Sequence, residues 1–240
     1  MDPNTMSELA WLGETLEFPN TASALTDPDG LLAVGGDLSV ERLLCAYRQG
    51  IFPWYSEGQP ILWWSPSPRT ILIPDKLHLG RSNRKLFNKA PFTIKVNHAF
   101  RQVIEHCAAA PRADQDGTWI MPEMIEAYCD LHKAGHAHSI EAWQDEQLVG
   151  GLYGVSVGKA FFGESMFSLS SGASKFAFMS LVKTLQKWDF QLIDCQIYTD
   201  YLASFGAQEV PREEFEQRLD SAVSYPNDTQ WTLDIASSQK

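Results

Sequence analysis

Three runs decide the fold: His138-Ser139-Ile140-Glu141-Ala142-Trp143, then Gln147 to Val157, then Lys159-Ala160-Phe161-Phe162-Gly163-Glu164-Ser165-Met166-Phe167. Each is rich in aromatic, β-branched and small apolar residues. Asp145-Glu146 follows the first and Gly158 the second as turn signals. Consecutive strands with connections this short pair antiparallel, because a parallel neighbour needs a crossover of a dozen residues or more. A three-stranded meander is therefore predicted.

On its C-terminal side, Ser168 to Ser174 reads as a Ser/Gly loop and Lys175 to Trp188 as a helix. Gln191 to Gln196 reads as a strand, Tyr201 to Gly206 as a brief helix, Gln208 to Pro211 as extended and Arg212 to Leu219 as helix. On its N-terminal side lie a strand from Thr70 to Ile73, a short basic helix from Ser82 to Asn88 and a strand from Phe92 to Val96. Two further helices follow, His98 to Ala109 with Asn97 as cap, and Met121 to Ala134 ended by Gly135. Ser39 is the expected cap of another helix, with Leu43, Leu44 and Tyr47 on its apolar face and Gly50 after its last turn. Phe18 to Gly36 reads as turns and loops, and residues 1–17 as a poorly ordered acidic leader. Ser65-Pro66-Ser67-Pro68 divides a small N-terminal domain, residues 1–68, from a domain spanning 69–240. Strands followed by alternating helices and strands indicate α+β. The order resembles the acyltransferase fold of the N-acetyltransferase superfamily, with a central mixed, largely antiparallel sheet.

The 240 residues carry a formal charge of −11, which argues against nucleic acid until the charges are located. From Arg69 to Arg101 there are eight cations (Arg69, Lys76, Arg81, Arg84, Lys85, Lys89, Lys95, Arg101) and one acid, Asp75. Such an asymmetry can steer a phosphate backbone onto one face; a solvated basic surface is the alternative. The N-terminus lacks the basic region of a secretory signal, and no apolar run reaches the ~20 residues of a membrane span. The cytoplasm is the expected compartment. Cys45, Cys107, Cys129 and Cys195 form no CxxC pair, which argues against a disulfide framework or zinc knuckle.

Three constellations carry possible chemistry. Trp54, Tyr55, Trp63, Trp64 and Trp119 lie on Gly/Pro-rich stretches, where aromatic faces can hold a base by stacking or pack a seam between domains. Glu164 stands in a strongly apolar strand, where a carboxylate is paired or functional. Strand alternation puts it on one face with Met166. Asp194 and Gln196 share a face at the C-terminal end of their strand, a common place for ligand groups. His132, His136 and His138 straddle a helix end and match no zinc pattern.

Longer motifs then follow in order: Gly30 to Leu38, Gly50-Ile51-Phe52-Pro53-Trp54, Leu62-Trp63-Trp64-Ser65-Pro66, Gly117-Thr118-Trp119-Ile120, Gly135 to Ser139, Gly163 to Phe167, and Ile193-Asp194-Cys195-Gln196. Over about Phe18 to Leu219 the chain closely resembles the bacterial leucyl/phenylalanyl-tRNA–protein transferases. The resemblance implies an aminoacyltransferase that moves Leu or Phe, with Met a further candidate, from aminoacyl-tRNA to the N-terminal α-amine of proteins beginning with Arg or Lys. Proteins so marked would be degraded through the N-end rule pathway. No metal or organic cofactor is implied, and a monomer is expected. The resemblance assigns Glu164, Asp194 and Gln196 to the polar active-site group and Trp54 and Trp119 to the terminal adenosine of the tRNA. It assigns Met166, Leu152 and Leu181 to the pocket for the transferred side chain. Lys76, Arg81, Arg84, Lys85 and Lys89 are the candidate contacts to the acceptor stem.

An aminoacyl ester is already activated, so aminolysis needs chiefly placement and a deprotonated amine. The proton acceptor stays open at this level between an active-site group, the ribose hydroxyl and water. Two rival readings are an acetyl-CoA-dependent acetyltransferase and a non-catalytic RNA-binding module. Ser168-Leu169-Ser170-Ser171-Gly172-Ala173 lacks the basic or amide residue and first glycine of an acetyl-CoA pyrophosphate loop. An RNA-binding module leaves Glu164 and Asp194 unexplained, since carboxylates weaken phosphate binding.

Overall fold

The computed structural model describes residues 9–110 and 119–231. Gly117 and Thr118 lie outside the described residues, as do residues 1–8 of the expected leader.

The first sheet comprises β1 (Ala10–Leu12), β2 (Leu31–Gly35), β3 (Phe52–Pro53) and β4 (Leu62–Trp64), ordered β1-β2-β4-β3, with β1 parallel to β2 and the other pairs antiparallel. Two expectations are corrected here. Residues 10–12 of the leader form a strand, and the stretch expected to be loops contains β2. The run Leu31-Leu32-Ala33-Val34 is buried on both faces, so it shows no alternation for periodicity to detect. Behind β1 the chain is held by Arg42, which is fully buried. Its guanidinium donates to the carbonyls of Gly13 and Thr15 and to Asp37. Arg42 belongs to helix α1 (Val40–Arg48), capped by Ser39 as expected, whose hydroxyl accepts the Arg42 N–H.

The second sheet comprises β5 (Arg69–Leu72), β6 (Thr93–Val96), β7 (Ala137–Gln144), β8 (Gln147–Val157), β9 (Ala160–Ser168), β10 (Leu192–Gln196) and β11 (Gln208–Val210). Their order is β11-β5-β10-β9-β8-β7-β6. The meander is found as predicted, β7 to β8 to β9. Within this sheet, among the described residues, only β9 and β10 pair in parallel, joined by helix α5 (Ala173–Lys187). The α+β class with a mixed, largely antiparallel sheet therefore stands. Helices α2 (Arg81–Lys89), α3 (Phe100–Ala109) and α4 (Pro122–Lys133) precede the meander, and α6 (Asp200–Ala203) and α7 (Arg212–Val223) follow it.

Strand alternation sorts the sheet's side chains into two cores. Tyr153, Val155, Val157, Phe162, Leu192 and Ile71 face one core, continuous with the first sheet, α1, α3, α4 and α7. Leu152, Phe161, Ile193 and Leu72 face the other, with α5. Helix α5 lies so close to β8 that a Cβ at Gly150 would sit 2.5 Å from that of Ala173. Among the described residues no helix is long and apolar enough to cross a membrane.

Asn97 does not cap α3. Its backbone is left-handed, φ +57°, and its side chain accepts from Ser139 N–H and bonds His138 Nδ1. The cap comes instead from buried Glu141, whose Oε1 accepts the Ala99 N–H at 2.7 Å. A cap donated from a strand 42 residues away leaves no local signature.

Candidate active site

Strands β9 and β10 pair only as far as Phe162 opposite Asp194. Just beyond, both strands break register. The shift in β9 falls between its pairs with Gly154 and Tyr153, which leaves Glu164 without a partner across from β8. The shift in β10 falls between Asp194 and Gln196. Bulges re-aim side chains, and they do so here. Glu164 is turned toward Tyr47 on α1 and Tyr128 on α4, in the first core, while Met166 packs against the second. The expected common face for Glu164 and Met166 is corrected by that bulge. Asp194 and Gln196 both face the side of the first core, as expected, with Cys195 between them against the second.

Glu164 is buried and accepts three hydrogen bonds. Tyr47 donates to Oε1 at 2.8 Å, Gln196 Nε2 to the same oxygen at 2.8 Å, and Tyr128 to Oε2 at 3.1 Å. The two tyrosine oxygens also lie within hydrogen-bonding distance of each other, so two phenol hydrogens serve three contacts. Burial pushes the Glu164 carboxyl up to about 7, although the hydrogen bonds oppose the rise. Burial first, then the charge of Glu164, pushes both tyrosines well above the usual phenol range, so they stay donors. Sequence reasoning placed Tyr47 merely on an apolar helix face and passed over Tyr128. The available signal is that a buried tyrosine hydroxyl seeks a partner, but nothing local says which.

Asp194 is fully buried and lies on Arg69. Arg69 Nε and Nη2 donate to its two oxygens at 2.8 and 2.7 Å. Asp194 lines neither cavity of the site. Its oxygens face a cation of the protein itself rather than open space for an acceptor.

Two cavities meet at Glu164 and Gln196, which line both. The larger, about 320 Å³, has walls that include Leu152, Phe161, Met166, Phe178, Leu181 and Ile193. That volume falls in the ~300–1,000 Å³ range of small-ligand sites, and the apolar walls suit a branched or aromatic side chain. The smaller, about 190 Å³, is walled by Phe52, Pro53, Trp54, Trp119 and Ile197. The structure thus gathers Glu164, Gln196, Met166, Leu152, Leu181, Trp54 and Trp119 around one centre. Trp63, by contrast, is fully buried, donating to the Gly35 carbonyl, and Trp64 donates to the Trp54 carbonyl. Those two pack the first sheet.

The basic segment divides. Arg69 is committed to Asp194, Arg101 to Glu126, and the Lys95 ammonium lies 4.3 Å from the Trp143 ring centroid. Lys76, Arg81, Arg84, Lys85 and Lys89 are exposed, four of them on α2. The three histidines serve packing: His132 stacks on Phe100, His138 on Trp231, and His136 bonds Asn227. Among the described residues no group of three or more His, Cys, Asp or Glu could hold a metal ion.

Residues 71–220 match the family described as leucyl/phenylalanyl-tRNA protein transferase, and residues 36–67 match the N-terminal domain of that family. The relative of that name from Saccharophagus degradans is 58% identical over 91% of this chain and 90% of its own. Those from Teredinibacter turnerae and Cellvibrio japonicus are 57% and 54% identical, over 89% and 92% of this chain and 83% and 94% of theirs.

Proposed function

The chain belongs to the leucyl/phenylalanyl-tRNA–protein transferase family, and from that premise we propose that it carries Leu or Phe from aminoacyl-tRNA to the N-terminal α-amine of proteins beginning with Arg or Lys. The observation that supports this most directly is the meeting of an apolar cavity and a tryptophan-walled cleft at Glu164 and Gln196. An aminoacyl-adenosine has the same two-part form: an apolar side chain, a purine, and an ester between them. In this reading Met166, Leu152 and Leu181 receive the side chain, and Trp54 and Trp119 hold the terminal adenosine. Lys76, Arg81, Arg84, Lys85 and Lys89 take the acceptor stem through its phosphates.

The ester carbonyl then lies beside Glu164 and Gln196. The acceptor amine attacks that carbon, the new C–N bond forms, and the C–O bond to the ribose breaks. The amine must shed a proton, and an ordinary α-amino group titrates at about 8. A carboxylate raised to about 7 is well matched to take it. Gln196, a neutral amide, orients rather than titrates. Glu164 hands the proton it took to the leaving ribose oxygen and so returns to its starting state. Placement of ester and amine contributes the rest of the rate. No metal or organic cofactor enters the reading. The two-domain division at residues 68 and 69, a monomeric state, a cytoplasmic setting and entry of the products into N-end rule degradation belong to the same proposal.

The test is transfer of radiolabelled Leu from leucyl-tRNA to a protein starting with Arg, beside an otherwise identical one starting with Ala. Label in the Arg protein alone is expected. Equal labelling of both would remove the acceptor assignment, and label in neither would remove the reaction.

A further inference from the structure

By composition Arg69 belongs with the cations of the basic segment. In the fold it is 1% exposed and lies between two rings, its guanidinium carbon 4.8 Å from the centroid of Phe52 and 4.7 Å from that of Phe215. These rings come from the first sheet and from α7, so Arg69 joins three parts of the molecule. Two of its nitrogens grip Asp194, and the third, Nη1, is buried with no hydrogen-bond partner among the described residues.

Asp194 does more than neutralise Arg69. Its Oδ1 also accepts the backbone N–H of Gln196 at 2.8 Å. At Gln196 the backbone is left-handed, φ +62°, where the register with β5 shifts. A glutamine in that region is uncommon and persists where its surroundings over-determine it. From this conformation Gln196 Nε2 reaches Glu164 Oε1 at 2.8 Å.

We propose that Arg69 is a positioning residue for the transfer reaction: through Asp194 it locks the left-handed turn at Gln196 and so sets the amide against Glu164. Asp194 is then a backbone anchor. It neither exchanges a proton nor faces the cation of the acceptor. A lysine cannot substitute, because it lacks the planar fork that meets both carboxylate oxygens and stacks between two rings. The inference rests on the proposed transfer and concerns how its site is held.

The experiment compares wild type with Arg69→Met, Asp194→Asn, the double variant and Arg69→Lys. It reads kcat for transfer, KM for aminoacyl-tRNA and the melting temperature. Each of the first two leaves one buried charge unmatched and is expected to lower the melting temperature by roughly 10 °C. Each should also cut kcat by roughly tenfold or more, as misplacement of a site group does, with KM for aminoacyl-tRNA within roughly twofold of wild type. The double variant removes both charges, while the asparagine Oδ1 can still accept the Gln196 N–H. It should regain most of the lost melting temperature, but with no fork to hold the carboxamide kcat should stay roughly tenfold or more below wild type. A stable double variant with a wild-type kcat would show that Arg69 only balances charge, and the proposal would fall. Should the double variant not fold, Arg69→Lys decides. It keeps the charge and loses the fork, so kcat should drop by roughly tenfold; a wild-type kcat would overturn the proposal. Failure of the functional reading looks different, because then the wild-type protein itself moves no label.

Discussion

Glu164 and Asp194 are both buried carboxylates on neighbouring strands, each beside a break in register, yet their surroundings are opposite. Asp194 meets a guanidinium fork at 2.7–2.8 Å and its charge is matched inside the protein. Glu164 meets only neutral donors, two phenols and an amide, and burial lifts its carboxyl to about 7. Two buried acids therefore have different uses. A charge matched by a rigid partner makes an anchor. A charge held by neutral hydrogen bonds can gain and lose a proton near neutrality. The arginines repeat the contrast, with Arg69 locked in the interior and Arg81 and Arg84 exposed on the surface of α2.

The sharpest way to break this comparison is Glu164→Gln. It keeps the size and removes the titration. If Glu164 takes the amine proton, kcat should fall ~10²–10⁴-fold, the usual contribution of a general base. The wild-type rate should rise with pH through about 7 and then level, and the variant should lose that limb. Single-turnover transfer measured from pH 5.5 to 8.5 checks both. A wild-type limb that survives in the variant would pass the role to the ribose hydroxyl or water.

The same group should appear in stability. Below about 4.5 the folded and unfolded chains both hold the Glu164 proton. Between about 4.5 and about 7 the folded chain holds it and the unfolded chain does not, so stability falls as pH rises through that window and then levels. The fall should be roughly 3 kcal/mol, since each pKa unit is worth about 1.4 kcal/mol. Urea unfolding at pH 4.5, 6 and 7.5, wild type against Glu164→Gln, reads it as a difference that grows across the window.

Smaller effects are expected in the cleft that Glu164 shares and Asp194 does not. Trp54→Ala or Trp119→Ala should weaken binding of an aminoacyl-adenosine analogue by ~1–3 kcal/mol, the value of one stacking face. Whole aminoacyl-tRNA should feel the same loss. Calorimetry with both ligands distinguishes this from a packing role, in which the melting temperature drops and analogue binding holds. The smallest change in chemistry should come from the exposed arginines. Replacing Arg81, Arg84 and Lys85 together by Ala should leave turnover at saturation nearly intact. The log–log salt slope of tRNA binding should flatten by roughly one unit per lost phosphate contact. A slope that does not move would take α2 off the tRNA path.

Much of the scaffold was legible before folding. The meander follows from period-two patterning and short turns, and the cap at Ser39 from local chemistry. Elsewhere local signals misled. Asn97 resembles a cap, but a carboxylate on β7 caps α3 instead. The eight cations from Arg69 to Arg101 resemble one patch, but three of them are spent inside or beside their own partners.

The site shows the same division. By itself the sequence determined that Glu164 needs a partner, that Trp54 and Trp119 stand on loops, and that the meander carries the centre of the molecule. Those conclusions depend on residue type, burial pattern and spacing along the chain. The tertiary structure alone decided that Asp194 belongs to Arg69 and Glu164 to two tyrosines. A bulge moves a side chain to a face that alternation does not assign. A buried charge takes its partner from whichever strand lies beside it. Here β5 lies beside β10, so the partner comes from 125 residues away along the chain.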